Sequence, residues 1–352
     1  MSFSRFIALT TLLASTLGNA VGQVRPAPVA ASHPQLDTVV QRLGAALMRQ
    51  PGRVGLSVGI TRNGRTSFYH FGTTEKGKSQ VATPHTVYEI GSISKTFISL
   101  LLAHAVLEKR VDLDDDIRKY LPEAYPNLAF GSQPIRLVHL ANMTSRLPNN
   151  LPENLFQAAN PDSVAFRAVK ILRSYAKQNF LADLHQARLD TIPGLLPRHS
   201  NVATQLLAYI LESVYQTSYA DLLARYVNQP LHLAGATDTG PNATGYDGKG
   251  HPMPPLTMAT ALAAGGLRYS AADMVKYLQY QLAAPDKAVT LTQQPAWGRL
   301  DDEAIGFNWN PDQMVDSQRR LQHSGGTFGY ASYCALYPER QFGIVLLANE
   351  SD

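Results

Sequence analysis

Apolar spacing divides the chain into strands, a long helical middle, and strands again. Leu36, Val39, Val40, Leu43 and Leu47 recur at the interval of one helix face. Val54, Leu56, Val58 and Ile60 then alternate as a half-buried strand. Asn63-Gly64 supplies a tight turn, and residues 65–71 return as a hairpin partner. In the middle, Ile93, Phe97, Leu100, Leu101 and Leu107 keep helical spacing. A short helix begins at 135–140 and ends near Pro148, and helical segments surround 166–175. Leu206, Leu207, Ile210, Leu211 and Val214 mark another helix face, 219–227 continues as helix, and 261–282 is again mostly helical. Residues 240–255 read as a Gly/Pro-rich loop. The last stretch is a meander: a strand leading into His323-Ser324-Gly325-Gly326, a second over 330–337, a turn at 338–341, and a near-continuous apolar strand over 342–348. This order predicts an α+β fold in which both strand sets join one antiparallel sheet flanked by helices, with a mostly helical second lobe. The α/β lobe is expected over about 35–85 and 255–352 and the helical lobe over about 86–254, with a cleft between them.

Composition narrows the class. Of 352 residues, 45% are hydrophobic and 16% charged, which is globular rather than disordered. The net charge of +4 comes without any Lys/Arg run, so no nucleic-acid partner is expected. Residues 1–20 carry a basic start at Arg5, an apolar run over 6–17 and the small-residue site Gly18-Asn19-Ala20. That pattern reads as a secretory signal too short to span a bilayer, followed by a Pro/Ala tether over 21–34. The mature chain is expected to be exported and to lack a membrane span. The sole cysteine, Cys334, allows no intramolecular disulfide and reads as a small core residue in its apolar strand.

The candidate chemistry starts at Ser92. Three residues make about one helical turn, so Ser92 and Lys95 share a face, while Ser94 lies about 200° around and points away. A hydroxyl at a helix N-terminus beside an amine can act as an activated nucleophile. An isolated Ser-x-x-Lys is more often a capping serine followed by a solvated lysine, so other parts of the chain must support the assignment. Residues 72–79 satisfy the phosphate-loop pattern Gly-x4-Gly-Lys-Ser, but no apolar helix follows and Pro84 intervenes; this reads as a polar loop. Asp112, Asp114, Asp115 and Asp116 lack the glycine and distal glutamate of a calcium loop and read as capping residues. No His-Glu-x-x-His pattern is present, so no metal or other cofactor is expected.

Three polar motifs stand at wide spacing: Ser92-x-x-Lys95, His199-Ser200-Asn201 and His323-Ser324-Gly325. In this order, and with Tyr88-Glu-Ile-Gly before Ser92 and Ala263-Ala-Gly-Gly-Leu-Arg-Tyr-Ser before the second sheet segment, the chain resembles the serine β-lactamase and penicillin-binding superfamily. The resemblance is to its class C, DD-peptidase and esterase branch and spans roughly residues 54–349. It implies a β-lactamase/transpeptidase-like fold in which Ser92 is acylated by a carbonyl substrate and Lys95 helps deprotonate it. The Ser92 and Gly326 N–H groups would form the oxyanion hole, Asn201 would hold the substrate amide and Lys95, and His323, Ser324 and Gly325 would line the pocket for a substrate carboxylate. It further implies a small-molecule or peptide substrate, including cell-wall-derived ones, and a periplasmic or secreted bacterial setting.

The chain departs from that pattern at several positions. His199 stands where the branch usually has tyrosine. Imidazole titrates near pH 6.5, so His199 either serves as the general base or marks a lost proton shuttle and a catalytically weak, penicillin-recognising protein. Arg146 stands where relatives usually have glycine. The third motif is His-x-Gly where class C β-lactamases carry Lys-Thr-Gly, which tilts the expectation away from a dedicated antibiotic-destroying enzyme. The family usually continues past the last strand into a covering helix. With the sequence stopping at Asp352, either a truncated sequence or one sheet face left partly bare is expected.

Overall fold

The computed structural model describes residues 34–235, 242–256, 258–314 and 316–351, so the expected signal and nearly all of the tether fall outside the described residues. Helix α1 (Pro34–Met48) precedes the hairpin β1 (Gly55–Arg62) and β2 (Arg65–Gly72). The loop after β2 contains no helix before the short strand β3 (Val87–Glu89), in line with a polar loop rather than a phosphate cradle. A 3₁₀ turn, Gly91–Ile93, then enters α2 (Ser94–Leu107). The middle continues with α3 (Leu137–Ala141), α4 (Val164–Ser174), α5 (Lys177–Leu184), α6 (Asn201–Tyr215) and α7 (Tyr219–Leu223).

Residues 261–282 are less helical than their spacing suggests. A π-type turn, Leu262–Gly266, leads into strand β4 (Arg268–Ser270), which pairs with β3, and only then does α8 (Ala271–Ala283) start, capped by Ser270 and Asp273. After α9 (Lys287–Gln293) come β5 (Asn310–Gln313), β6 (Arg319–Gly326), β7 (Ala331–Tyr337) and β8 (Phe342–Ala348). The two strand sets do join: the sheet runs β2-β1-β8-β7-β6-β5, antiparallel throughout, with Leu56 opposite Ala348 and His323 opposite Cys334. Alternation decides the two faces of β8. Val345 and Leu347 enter the main core, while Ile344 and Leu346 join a second cluster with Leu36 and Val40 of α1. With both faces buried, the strand reads as a continuous apolar run. The outer face of the sheet is therefore covered over β1, β8 and β7, while Arg320, Gln322 and Ser324 of β6 stay partly exposed.

Helix α2 is buried on all sides from Ser94 to Ala103, so it forms the centre of the molecule rather than an amphipathic surface helix. Its polar residues are paired inside. Ser94 Oγ donates to the Gly91 carbonyl at 2.7 Å, Thr96 accepts from the Tyr277 hydroxyl, and Ser99 accepts from Asn308. Phe97 stacks between Tyr269 and Tyr277. The four aspartates cap local backbone and pair with Arg118, Lys119 and Arg136. Cys334 is fully buried, and burial pushes its thiol up to about 12.

Candidate active site

The 3₁₀ turn carries Ser92 to the edge of a crevice and places Lys95 one turn below it. Gly91 makes this possible. It sits at φ +52°, and a side chain there would come within 2.4 Å of the Gly326 nitrogen, so the turn and the end of β6 approach closely only because Gly91 has none. A Cβ on Gly325 would likewise meet the Ile90 carbonyl at 2.1 Å and the Ser92 nitrogen at 3.0 Å. Ser332 locks the same junction by donating to the Ile90 carbonyl at 2.7 Å. Strand β6 pairs with β5 only over Arg319–Gln322, which leaves its last four residues with an open outer edge among the described strands.

Lys95 is 1% exposed and contacts three oxygens: Ser92 Oγ at 2.9 Å, Asn201 Oδ1 at 2.8 Å and the Ala264 carbonyl at 2.5 Å. Desolvation lowers its pKa from 10.5 to about 7. The neutral amine has two N–H donors and one lone pair. Asn201 Oδ1 and the Ala264 carbonyl oxygen can only accept, so they take both donors and leave the lone pair for the Ser92 hydroxyl proton. Asn201 is held in turn, with its amide donating to Asn150 Oδ1 at 2.9 Å and its backbone N–H to the Asn149 carbonyl at 2.9 Å. Ser200 caps α6 through the Ala203 N–H and donates to the Pro148 carbonyl, fixing the second motif against residues 148–150.

His199 is oriented by a neighbouring asparagine. Its Nδ1 lies 2.8 Å from Asn149 Oδ1, and no hydrogen bond joins it to Ser92 or Lys95. An acceptor on Nδ1 fixes the proton there and leaves Nε2 with its lone pair. The residue keeps a solvent-accessible edge, but the surrounding protein, and secondarily the Lys95 charge, lower its pKa to about 4. It is therefore neutral across the physiological range and a weaker proton acceptor than Lys95.

His323 and Ser324 do not share a pocket. Strand alternation puts His323 beside Leu321 on the inner face and Ser324 beside Gln322 on the other. His323 is buried, with Nδ1 facing the Ser324 carbonyl at 2.6 Å, and desolvation followed by the Lys95 charge lowers its pKa to about 3. It offers no positive charge for a carboxylate. Neither residue, nor Gly325, lines the cavity beside Ser92.

That cavity has a volume of about 290 Å³. Ser92, Asn201 and Gly326 stand on its wall, and the rest is largely apolar: Leu151, Leu155, Phe156, Leu172, Phe180, Val202, Leu256 and Phe328. No lining residue is ionisable. Sequence reading missed this wall, along with the Ala264 carbonyl, Asn149 and Asn150. Spacing says nothing of which residues meet from α4, α5 and the 256–261 segment, and a carbonyl freed by a π-type turn has only the Gly265-Gly266 pair as its signal. Buried Glu89, held above its ordinary range by desolvation, accepts the Leu256 N–H at 2.7 Å and so positions part of the wall.

A β-lactamase family model matches residues 40–352. Protein Flp of Staphylococcus aureus (strain MRSA252) is 26% identical over 341 residues, covering 90% of this chain and 63% of Flp, so the chain spans under two thirds of that relative's length. A β-lactamase of Yersinia enterocolitica is 25% identical over 363 residues, covering 90% and 87%. The crystal structure of a class C β-lactamase from Rhodobacter sphaeroides matches with TM-score 0.71 at 25% identity, over 88% of this chain and 93% of that one. An octameric penicillin-binding protein homologue from Pyrococcus abyssi matches with TM-score 0.74 at 22% identity, over 90% and 74%, a likeness of fold alone.

Proposed function

The chain belongs to the β-lactamase family, and from that premise we propose that it is a serine hydrolase working through an acyl-enzyme on Ser92, with an uncharged ester as its preferred substrate. The observation that carries the reading is the 2.9 Å contact between Lys95 Nζ and Ser92 Oγ, made by a buried amine of lowered pKa. Neutral Lys95 takes the hydroxyl proton as Ser92 Oγ bonds to the substrate carbonyl carbon. The N–H groups of Ser92 and Gly326 receive the oxyanion, a contribution of roughly 3 kcal/mol per donor in other hydrolases. The carbon–oxygen bond to the alcohol then breaks, and the alcohol leaves with the proton carried by Lys95. Water, deprotonated by the same amine or by His199 Nε2, releases the acid and regenerates Ser92.

Because Lys95 itself can serve as base, loss of the family's tyrosine does not by itself argue for a protein trapped after acylation. The ester preference is supported by what the cavity lacks. A β-lactam or a D-alanyl peptide carries a carboxylate, and the cavity wall offers it no cation while His323 stays neutral. The N-terminal pattern supports export to the periplasm or beyond, which the mass of the mature N-terminus tests. The experiment for the activity is a panel of a p-nitrophenyl ester, a chromogenic cephalosporin and a D-Ala-D-Ala peptide, with mass spectrometry of Ser92. An ester-derived adduct on Ser92 and fastest turnover of the ester are expected. Absence of any adduct on Ser92 would remove the nucleophile assignment.

A further inference from the structure

We propose that the cavity beside Ser92 is an acyl-chain pocket, selecting esters of medium-length apolar acids; this rests on the esterase reading above and extends it to a substrate class. The cavity is lined by Ser92 and Gly326, by Asn201, Val202 and Gln205 from the first turns of α6, and by Leu172 of α4 and Phe180 of α5. Its walls come from widely separated parts of the chain, and most of the lining is apolar, with Asn150, Asn201, Gln205, Thr260 and Thr327 set among the apolar side chains. Leu155, Ala168 and Leu172 form their own buried cluster, against which Leu256, Met258, Ala261 and Phe328 pack. This cluster holds part of the wall apart from the main core. At the rim Phe156 and Phe328 meet edge to face, with ring centroids 6.1 Å apart, and Phe156 is 44% exposed. An apolar chain entering there exchanges water mostly for aromatic and aliphatic surface, whereas a charged group would lose hydration with no counter-charge in the lining.

Size sets the limit. A dry apolar cavity of about 150 Å³ accepts benzene, so one of about 290 Å³ accommodates on the order of ten carbons, with an optimum at about eight once the reacting carbonyl is counted. Each methylene buried short of that limit is expected to raise kcat/KM about fourfold, the equivalent of roughly 0.8 kcal/mol per CH₂.

The test is a series of p-nitrophenyl esters with acyl chains from two to fourteen carbons, paired with acetate esters whose alcohol is lengthened instead. A rise with acyl length, a maximum near eight carbons and a fall beyond it are expected in the first series only. Ala261→Leu, at a partly exposed lining position, should move the maximum to shorter chains, and Leu172→Ala should move it to longer ones. Each shift is read as the ratio of long- to short-chain kcat/KM within one variant, so a loss of overall rate does not obscure it. A flat acyl series with Ser92 still acylated by the acetate ester would overturn the pocket assignment and leave the hydrolase reading intact. Length dependence in the alcohol series alone would also overturn it. No acylation of Ser92 by any ester would sink both.

Discussion

Arg146 adopts a left-handed backbone, φ +61°, and closes a bidentate pair on Asp190, with Nε to Oδ1 at 2.8 Å and Nη2 to Oδ2 at 2.7 Å. Arg198 shares the same carboxylate at 2.8 Å and donates back to the Arg146 and Leu147 carbonyls. Two arginines on one aspartate thus staple the loop that ends in His199-Ser200-Asn201 to the segment that ends in Asn149-Asn150. Glycine adopts such a conformation freely, whereas here a side chain occupies it and holds the second motif in place.

Arg146→Gly tests that arrangement. Glycine removes roughly 1 kcal/mol of left-handed strain, and the lost ion pair, with Asp190 half-exposed, is worth at most about 1 kcal/mol. Thermal stability is therefore expected to stay within a few degrees. Turnover should fall about tenfold or more, because Asn201 and His199 lose their fixed positions. Unchanged kinetics with lowered stability would make the staple purely structural.

The pH–rate profile should report Lys95. Its neutral form is the base, so kcat/KM on an uncharged ester should rise as pH passes about 7 and level off above it. Lys95→Arg, permanently charged, should lose roughly 10² to 10⁴ in rate across the whole range. A profile flat from pH 5 to 9 would assign the proton transfer elsewhere.

The same amine affects stability. Lys95 has a folded-state pKa of about 7 against 10.5 when free, so between those values the unfolded chain holds one more proton than the folded one. The wild type should therefore gain about 1.4 kcal/mol per pH unit over Lys95→Met across that window, and its disadvantage should be greatest below pH 7. Denaturant titrations of both proteins at pH 7.5, 8.5 and 9.5 measure the slope. Parallel stabilities would show that Lys95 is not desolvated as described.

His199→Ala separates the two halves of turnover. With Lys95 deprotonating Ser92, the variant should keep its burst of p-nitrophenol and its Ser92 adduct, while steady-state turnover drops by about tenfold or more as release of the acyl group slows. The wild type should show no inflection near pH 6.5, since His199 titrates near 4. Loss of the burst would return His199 to the role of base for the serine.

Much of this was written locally in the chain. Period-two alternation identified β1, the Asn63-Gly64 turn its partner β2, a continuous apolar run β8, and a three-residue interval put Ser92 and Lys95 on one face, because each depends only on the geometry of a single strand or turn. Local spacing also marked three polar motifs, but not how they face each other. Tertiary structure decided that Lys95 is desolvated and triply bonded, that His199 turns to Asn149, and that His323 and Ser324 lie on opposite faces of one strand. It also decided that Leu155, Leu172, Phe180 and Leu256 enclose one apolar cavity. Those outcomes depend on contacts between segments tens to hundreds of residues apart, and the free energy of burying a group is set by all of its neighbours at once, which no interval along the chain encodes.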